Sequence, residues 1–227
     1  MCHSPADVPG RPGGARGLRI GGGARVGTLH ALTRVRLGFL GGTFDPPHIG
    51  HLLAASDAYE ALELDKLFFV PAGVQPFKVG LVQATPQQRL RMIALTIAAD
   101  PRFGVETVEI HRKGLSYTVD TLAHFATAYA HASRFLLVGE DLAGQLATWR
   151  EPERIAELAQ IVVLTRGGET PARTCDDGAA LPMTRIATRQ IDVSSTEVRA
   201  RVRAGKSIHG FVTDAVADFI RSAGLYR

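Results

Sequence analysis

Catalytic side-chain types are concentrated in one eleven-residue run of this 227-residue chain, Gly41-Gly42-Thr43-Phe44-Asp45-Pro46-Pro47-His48-Ile49-Gly50-His51. His48 and His51 stand three apart, so on a helix they share a face and can reach one group. Paired glycines let backbone approach a ligand with no side chain in between. A helix opening at this point presents N–H groups carrying partial positive charge, which favours an anion and above all a phosphate. As a metal pair the histidines would need a third ligand at useful spacing, and none is evident, so no metal site is assigned. Asp45 is expected to accept backbone N–H groups of its own loop rather than to act on substrate. A second phosphate-capable stretch, Ser194-Ser195-Thr196-Glu197, has the Ser-x-x-Glu form of a capped helix start, with Arg199 on its first turns.

Both stretches depend on the elements around them. Leu37–Leu40 is short and apolar and is expected as a buried strand, followed by a helix carrying Leu52, Leu53, Ala55, Ala58, Tyr59 and Leu62. Leu67–Val70 is a second strand, ended by Pro71; Ala72–Ala84 is expected to be a mobile loop. Thr85-Pro86-Gln87-Gln88 starts a helix that turns Leu90, Ile93, Ala94 and Ile97 inward. Phe103–Ile110 is expected as a strand, and Tyr117–His131 as a helix burying Val119, Leu122, Ala123, Phe125 and Ala126. Strands at Phe135–Val138 and Ile161–Leu164 flank two short helices, and Gly167–Leu181 is a long loop. Helices at Ser194–Ala204 and Thr213–Ser222 close the chain. This alternation implies an α/β fold: an open, parallel, Rossmann-like sheet with helices on both faces and ligands beyond the strands' carboxyl ends.

Composition narrows the function classes. Hydrophobic residues at 45% and charged residues at 21% suit a soluble globular domain. The net charge of +4 divides unevenly, because residues 1–36 hold six arginines and a single acid, leaving the rest at −1. The body therefore has no basic excess calling for nucleic acid. Residues 1–34 are rich in Gly, Arg and Pro, and are expected to form a disordered extension or to reflect a start assigned upstream of Val35; residues 35–227 are expected to form one domain. Cys2 and Cys175 suggest no disulfide framework, no apolar run reaches the roughly 18 residues of a membrane helix, and no secretory h-region is present. A cytoplasmic location is the expectation.

The histidine run and the Ser195-Thr196 helix start together resemble the nucleotidylyltransferase superfamily, marked by a strand leading into a His-x-Gly-His helix. Within it the chain is most similar to the bacterial nicotinate-nucleotide adenylyltransferases. Ser116-Tyr117-Thr118-Val119-Asp120-Thr121-Leu122 matches that family's Tyr-Thr-x-x-Thr-Leu segment, and Gly139-Glu140-Asp141 with Trp149 its Gly-x-Asp…Trp element. Val193–Arg199 matches its second phosphate motif and Gly224-Leu225-Tyr226 its closing residues. The resemblance runs from Val35 to the end. It departs at Phe77, where the family often has histidine before Lys78, and at Thr213, where proline is common.

The resemblance implies adenylyl transfer from ATP, with Mg²⁺, to nicotinate mononucleotide, giving deamido-NAD and pyrophosphate. It gives His48 and His51 the catalytic roles and places ATP phosphates and adenosine against Gly41, Gly42, Thr43, Gly139, Asp141, Ser195, Thr196 and Arg199. It places the mononucleotide against Lys78, Tyr117, Thr118, Trp149 and Arg150. Alternatives left open are nicotinamide mononucleotide or phosphopantetheine as acceptor, and a non-catalytic nucleotide- or RNA-binding module using the Arg-rich tail. The expected partners are ATP and the mononucleotide, without membrane or nucleic acid; self-association into a homo-oligomer is left open.

Overall fold

Leu37 and Phe39 face one side of the first strand and Leu40 the other, and both sides are buried. That two-sided burial is what helix-covered parallel strands require, and it sets the architecture. The computed structural model describes residues 34–73, 82–112, 114–167, 174–175 and 181–227. The expected extension, Phe77, Lys78 and most of the loop around them lie outside the described residues, as does much of the 167–181 segment.

In chain order the elements are β1 (Arg36–Gly42), α1 (Ile49–Ala61), β2 (Lys66–Pro71), α2 (Pro86–Ile97), β3 (Phe103–Val105), α3 (Val108–His111), α4 (Thr118–Ala128) and β4 (Ser133–Gly139). There follow α5 (Glu140–Ala143), a 3-10 turn (Leu146–Thr148), α6 (Pro152–Leu158), β5 (Gln160–Arg166), β6 (Thr174–Cys175), β7 (Met183–Thr188), α7 (Ser195–Arg203) and α8 (Asp214–Ser222). Among the described residues one sheet forms in the order β3-β2-β1-β4-β5-β7-β6. Six strands run parallel, and β6 pairs antiparallel with β7.

One face packs Phe39, Leu136, Val138, Ile161 and Val163 against Leu122 and Phe125 of α4 and Ile155 of α6. The other packs Leu40, Phe69, Leu137 and Val162 against Ala55 and Ala58 of α1 and Ile93 and Ile97 of α2. A third cluster joins Met92 of α2 to Val198 of α7, Val216 and Ile220 of α8, and Tyr226. It ties the C-terminal helices to α2.

Four local expectations are corrected. Phe103–Ile110 is not one strand: β3 stops at Val105 and α3 follows. Its ladder runs from the Leu67 N–H to Arg102 O (3.1 Å) and from the Glu106 N–H to Phe69 O (2.9 Å). The next donor in that series would be Pro71, which has no N–H, so pairing ends. β7 carries no apolar run that marks a strand, because its buried positions include Thr188 beside Ile186. Thr165 and Thr188 solve the burial problem by donating their hydroxyls to Ile186 O and Thr165 O, each at 3.1 Å. The buried face of α2 holds Arg89, Met92, Ile93, Thr96 and Ile97, not Leu90 and Ala94. In α4, Thr121 is buried and Ala123 exposed. In both helices a polar side chain with internal partners took a place that apolar periodicity assigned to a hydrophobe.

Candidate active site

Strand pairing itself opens the site. β1 stays with β2 out to Gly42 and Pro71, but pairs with β4 only as far as Leu40 and Leu137. β4 meanwhile continues beside β5 to Gly139. The chain therefore parts between β1 and β4 at their carboxyl ends, where the strand order reverses and α/β sheets bind ligands.

His48 forms the N-cap of α1, and its backbone N–H donates to His51 Nδ1 (3.2 Å). An accepting Nδ1 puts the proton of neutral His51 on Nε2, leaving that nitrogen as the ring's donor. The two rings lie 3.7 Å apart between centroids, and Phe44 packs edge-on against His51 at 5.0 Å. Phe44 is buried with φ +53°, a costly conformation for a bulky residue, and its ring fills the place where a Gly42 Cβ would stand, 2.7 Å away. Gly42 is thus needed for internal packing. Gly41 differs, since nothing lies within 4 Å of a Cβ built there, which leaves its backbone open to a ligand.

Gly50 has a further reason to lack a side chain. A Cβ would stand 3.0 Å from His48 Nδ1, inside ordinary contact distance. Gly50→Ala should push the His48 ring by a few tenths of an ångström; with His48 in the catalytic role the family resemblance implies, kcat is expected to fall about 10-fold. The same change should leave denaturant stability equal or slightly higher, since Ala favours a helix over Gly by roughly 0.5–1 kcal/mol. Wild-type kcat in this variant would show that the clearance is irrelevant.

The second phosphate stretch docks directly on the first. Ser195 Oγ donates to Pro46 O (2.7 Å), Arg199 Nη1 donates to Asp45 O (2.7 Å), and the Ile49 N–H donates to Phe211 O (2.8 Å). The last bond means that the first N–H of α1 is already engaged by protein. Arg199 Nη2 also reaches Thr196 Oγ1 at 3.2 Å, while Ser194 caps α7 by accepting the Glu197 N–H at 3.1 Å. The helix start and its arginine therefore brace the histidine loop while standing beside it.

Asp45 lies beneath that loop and is 3% exposed. It accepts the N–H groups of Gln83 (2.8 Å) and Ala84 (3.1 Å) and the Tyr226 hydroxyl (2.7 Å). Its role is structural, as expected, but its partners come from across the chain rather than from its own loop. Burial and the adjacent Asp45 push the Tyr226 hydroxyl far above the usual phenol range, so it remains a donor.

Arg89 has no place in the sequence reading, yet it is 1% exposed and donates to Thr43 O and Ala72 O, each at 2.8 Å. It thereby clamps the carboxyl ends of β1 and β2. Burial pulls its pKa down while Asp45, Tyr226 and Glu109 oppose the shift. The signal available in the sequence was an arginine in register with Met92, Ile93 and Thr96 on the inward face of α2.

Past Gly41–Thr43 the crevice widens into a cavity of about 660 Å³. Phe39, Phe125 and Leu136 contribute to its apolar wall; Tyr117, Thr118, Trp149 and Arg150 line it as well. Arg150 lies 4.9 Å over the Tyr117 ring and 3.9 Å from Asp120. Gly139 and Asp141 are exposed at the end of β4 and the start of α5. The structure thus sorts most of the predicted residues into a cavity group and a histidine–Arg199 group, with Thr43 lining the cavity at the start of the histidine loop, while Gly139 and Asp141 belong to neither. Lys78 lies outside the described residues.

Comparison with known proteins gives a consistent picture. Residues 39–201 match the cytidylyltransferase-like family model. A protein of Gemmatimonas aurantiaca named probable nicotinate-nucleotide adenylyltransferase is 45% identical over 85% of this chain and 93% of its own length. One of the same name from Thermus thermophilus is 40% identical over 85% of this chain and its full length. Among solved structures, Plasmodium falciparum nicotinic acid mononucleotide adenylyltransferase complexed with NaAD superposes with a TM-score of 0.69 at 17% identity, covering 85% of this chain and 98% of that one. That last likeness concerns the fold.

Proposed function

This chain belongs to the nicotinate-nucleotide adenylyltransferase family, and from that premise we propose that it transfers the adenylyl group of ATP to nicotinate mononucleotide, forming deamido-NAD and pyrophosphate in NAD biosynthesis. The observation that carries the reading is the joining of the two site groups: a cavity sized for a mononucleotide opens beside Gly41–Thr43, the turn that leads to the histidines and Arg199.

A 5′-phosphate oxygen of the mononucleotide attacks the α-phosphorus of ATP. One P–O bond forms, the bond to the β-phosphate oxygen breaks, and pyrophosphate leaves with its electron pair. The nucleophile is already anionic, so no strong base is needed; the protein's task is alignment and neutralisation of developing negative charge. His51, with Nδ1 engaged, offers Nε2–H for this purpose; His48, the open backbone at Gly41 and the guanidinium of Arg199 stand near. Gly139 and Asp141 at the end of β4 suit the adenosine, while Tyr117, Thr118, Trp149 and Arg150 suit the nicotinate end. Mg²⁺ enters as the ATP complex, held mainly by phosphate oxygens and water.

Pyrophosphate release measured with MgATP and a panel of nicotinate mononucleotide, nicotinamide mononucleotide and phosphopantetheine tests the proposal. The expected result is the highest kcat/KM with the nicotinate compound. Preference for the amide would overturn the acceptor, and no release with any acceptor would overturn the reaction.

A further inference from the structure

Glu109 belongs to neither phosphate group, yet it lines the cavity. Three segments meet on it. The Thr121 hydroxyl of α4 donates to Oε1 at 2.9 Å, and the Gly73 N–H, just past β2, donates to the same carboxyl. The buried Ser116 side chain, preceding α4, faces it as well. Arg112, past the end of α3, donates to Thr121 Oγ1 at 3.1 Å, and the Arg89 guanidinium of α2 adds a second positive charge nearby. Gly73 is pressed so closely here that a Cβ would overlap the Glu109 carbonyl oxygen and stand 2.7 Å from Ser116 Oγ.

The chemistry favours a carboxylate at this junction. Hydroxyl and N–H donors converge on one point, and an ionised carboxylate is acceptor-only. An amide there would turn an NH₂ toward at least one donor. Burial pushes the Glu109 carboxyl up from its ordinary range, while Thr121, the Gly73 N–H and Arg112 favour its ionised form. The price of burying it is therefore partly offset by these partners. What the junction holds still is the turn Ser116–Thr118, whose Tyr117 and Thr118 line the cavity.

We infer that Glu109 is a positioning residue for the acceptor nucleotide: its carboxyl sets the spacing between the Gly73 turn and the Ser116–Thr118 start of α4, and so the fit of the acceptor's ring. This rests on the acceptor site proposed above. It predicts a split between the two substrates, because the donors that hold the carboxyl, the Thr121 hydroxyl and the Gly73 N–H, lie on the acceptor side of the cavity, while Arg89 alone of its charged neighbours links it to the Thr43 end.

Initial rates of pyrophosphate release, with each substrate varied in turn, provide the test. Glu109→Ala should raise KM for nicotinate mononucleotide about 10-fold or more, the worth of one charge-assisted hydrogen bond. KM for ATP should stay within about twofold. Glu109→Gln should recover part of the loss, since the Thr121 hydroxyl can still donate to the amide oxygen. Thr121→Val should raise the same KM, and the Glu109→Gln/Thr121→Val double variant should lose less than the two single losses combined. If Glu109→Ala does not fold, Glu109→Gln and Thr121→Val carry the test, each altering one hydrogen-bonding group. An unchanged acceptor KM in these variants, or equal rises for both substrates, overturns the inference. If the wild-type enzyme itself prefers another acceptor, the proposed substrate fails, and the same split is read with the preferred acceptor.

Discussion

His51→Ala is expected to lower turnover by at least about 10²-fold, the usual cost of removing one donor aimed at transition-state charge. The reason lies in how firmly the ring is placed. Nδ1 is fixed by the His48 N–H, Phe44 packs edge-on against the ring, and His48 lies 3.7 Å away. A donor held this way needs no reorganisation as charge builds on the α-phosphate, and alanine leaves nothing in its place. Stability should fall little, because loss of one helix-capping contact costs about 1 kcal/mol. Single-turnover rates at saturating substrates, with a denaturation curve on the same sample, separate the two effects. A variant within a few-fold of wild-type turnover would remove His51 from the mechanism.

Arg89→Met is expected to be the most destabilising single change among those considered, costing about 3–5 kcal/mol, as removal of one member of a buried charged network does. Methionine fills a similar volume but leaves the Thr43 and Ala72 carbonyl oxygens without their donor and takes a positive charge from beside Asp45. Arg89→Lys keeps the charge but offers a single compact ammonium where a planar fork now spans two carbonyls, so it should recover only part of the loss. Urea unfolding of the three proteins measures the series. Since the Thr43 carbonyl is one of the two clamped groups, kcat should fall along the same order as stability. Equal unfolding midpoints for Arg89→Met and wild type would show that the clamp contributes nothing.

The histidine pair was legible because its meaning is local: two rings three residues apart on a helix start share a face whatever the rest of the chain does. The Ser195–Thr196 helix start was legible for the same reason. Arg89 was not, because helical periodicity sorts residues by hydropathy. A charge buried against two carbonyls breaks that rule only once the two strand ends are in place to receive it. β7 escaped in the same way, its threonines made acceptable inside by partners on β5.

Gly50 shows the two levels meeting at one residue. As one glycine of a His-x-Gly-His run it was visible, but its function, clearing space for the His48 ring, appears only when that ring has a position. Asp45 is similar: a buried acceptor was foreseeable, but the donors at Gln83, Ala84 and Tyr226 were not. Glu109 lay in a segment expected to be a strand, and became a junction only because Pro71 ends the ladder and the chain turns into α3.

By itself the sequence determined the fold class, the pairing of His48 and His51 at the start of α1 and the capped start of α7, since strand alternation, helix periodicity and capping depend on neighbours a few residues apart. Tertiary structure decided the rest. It parted β1 from β4 beyond Leu40, docked Arg199 on the carbonyl of a residue 154 positions earlier, and buried Arg89 and Asp45 under the loop. The physical reason is that a buried polar group is tolerated only with its partners in place, and here those partners come from segments that meet only in the folded chain.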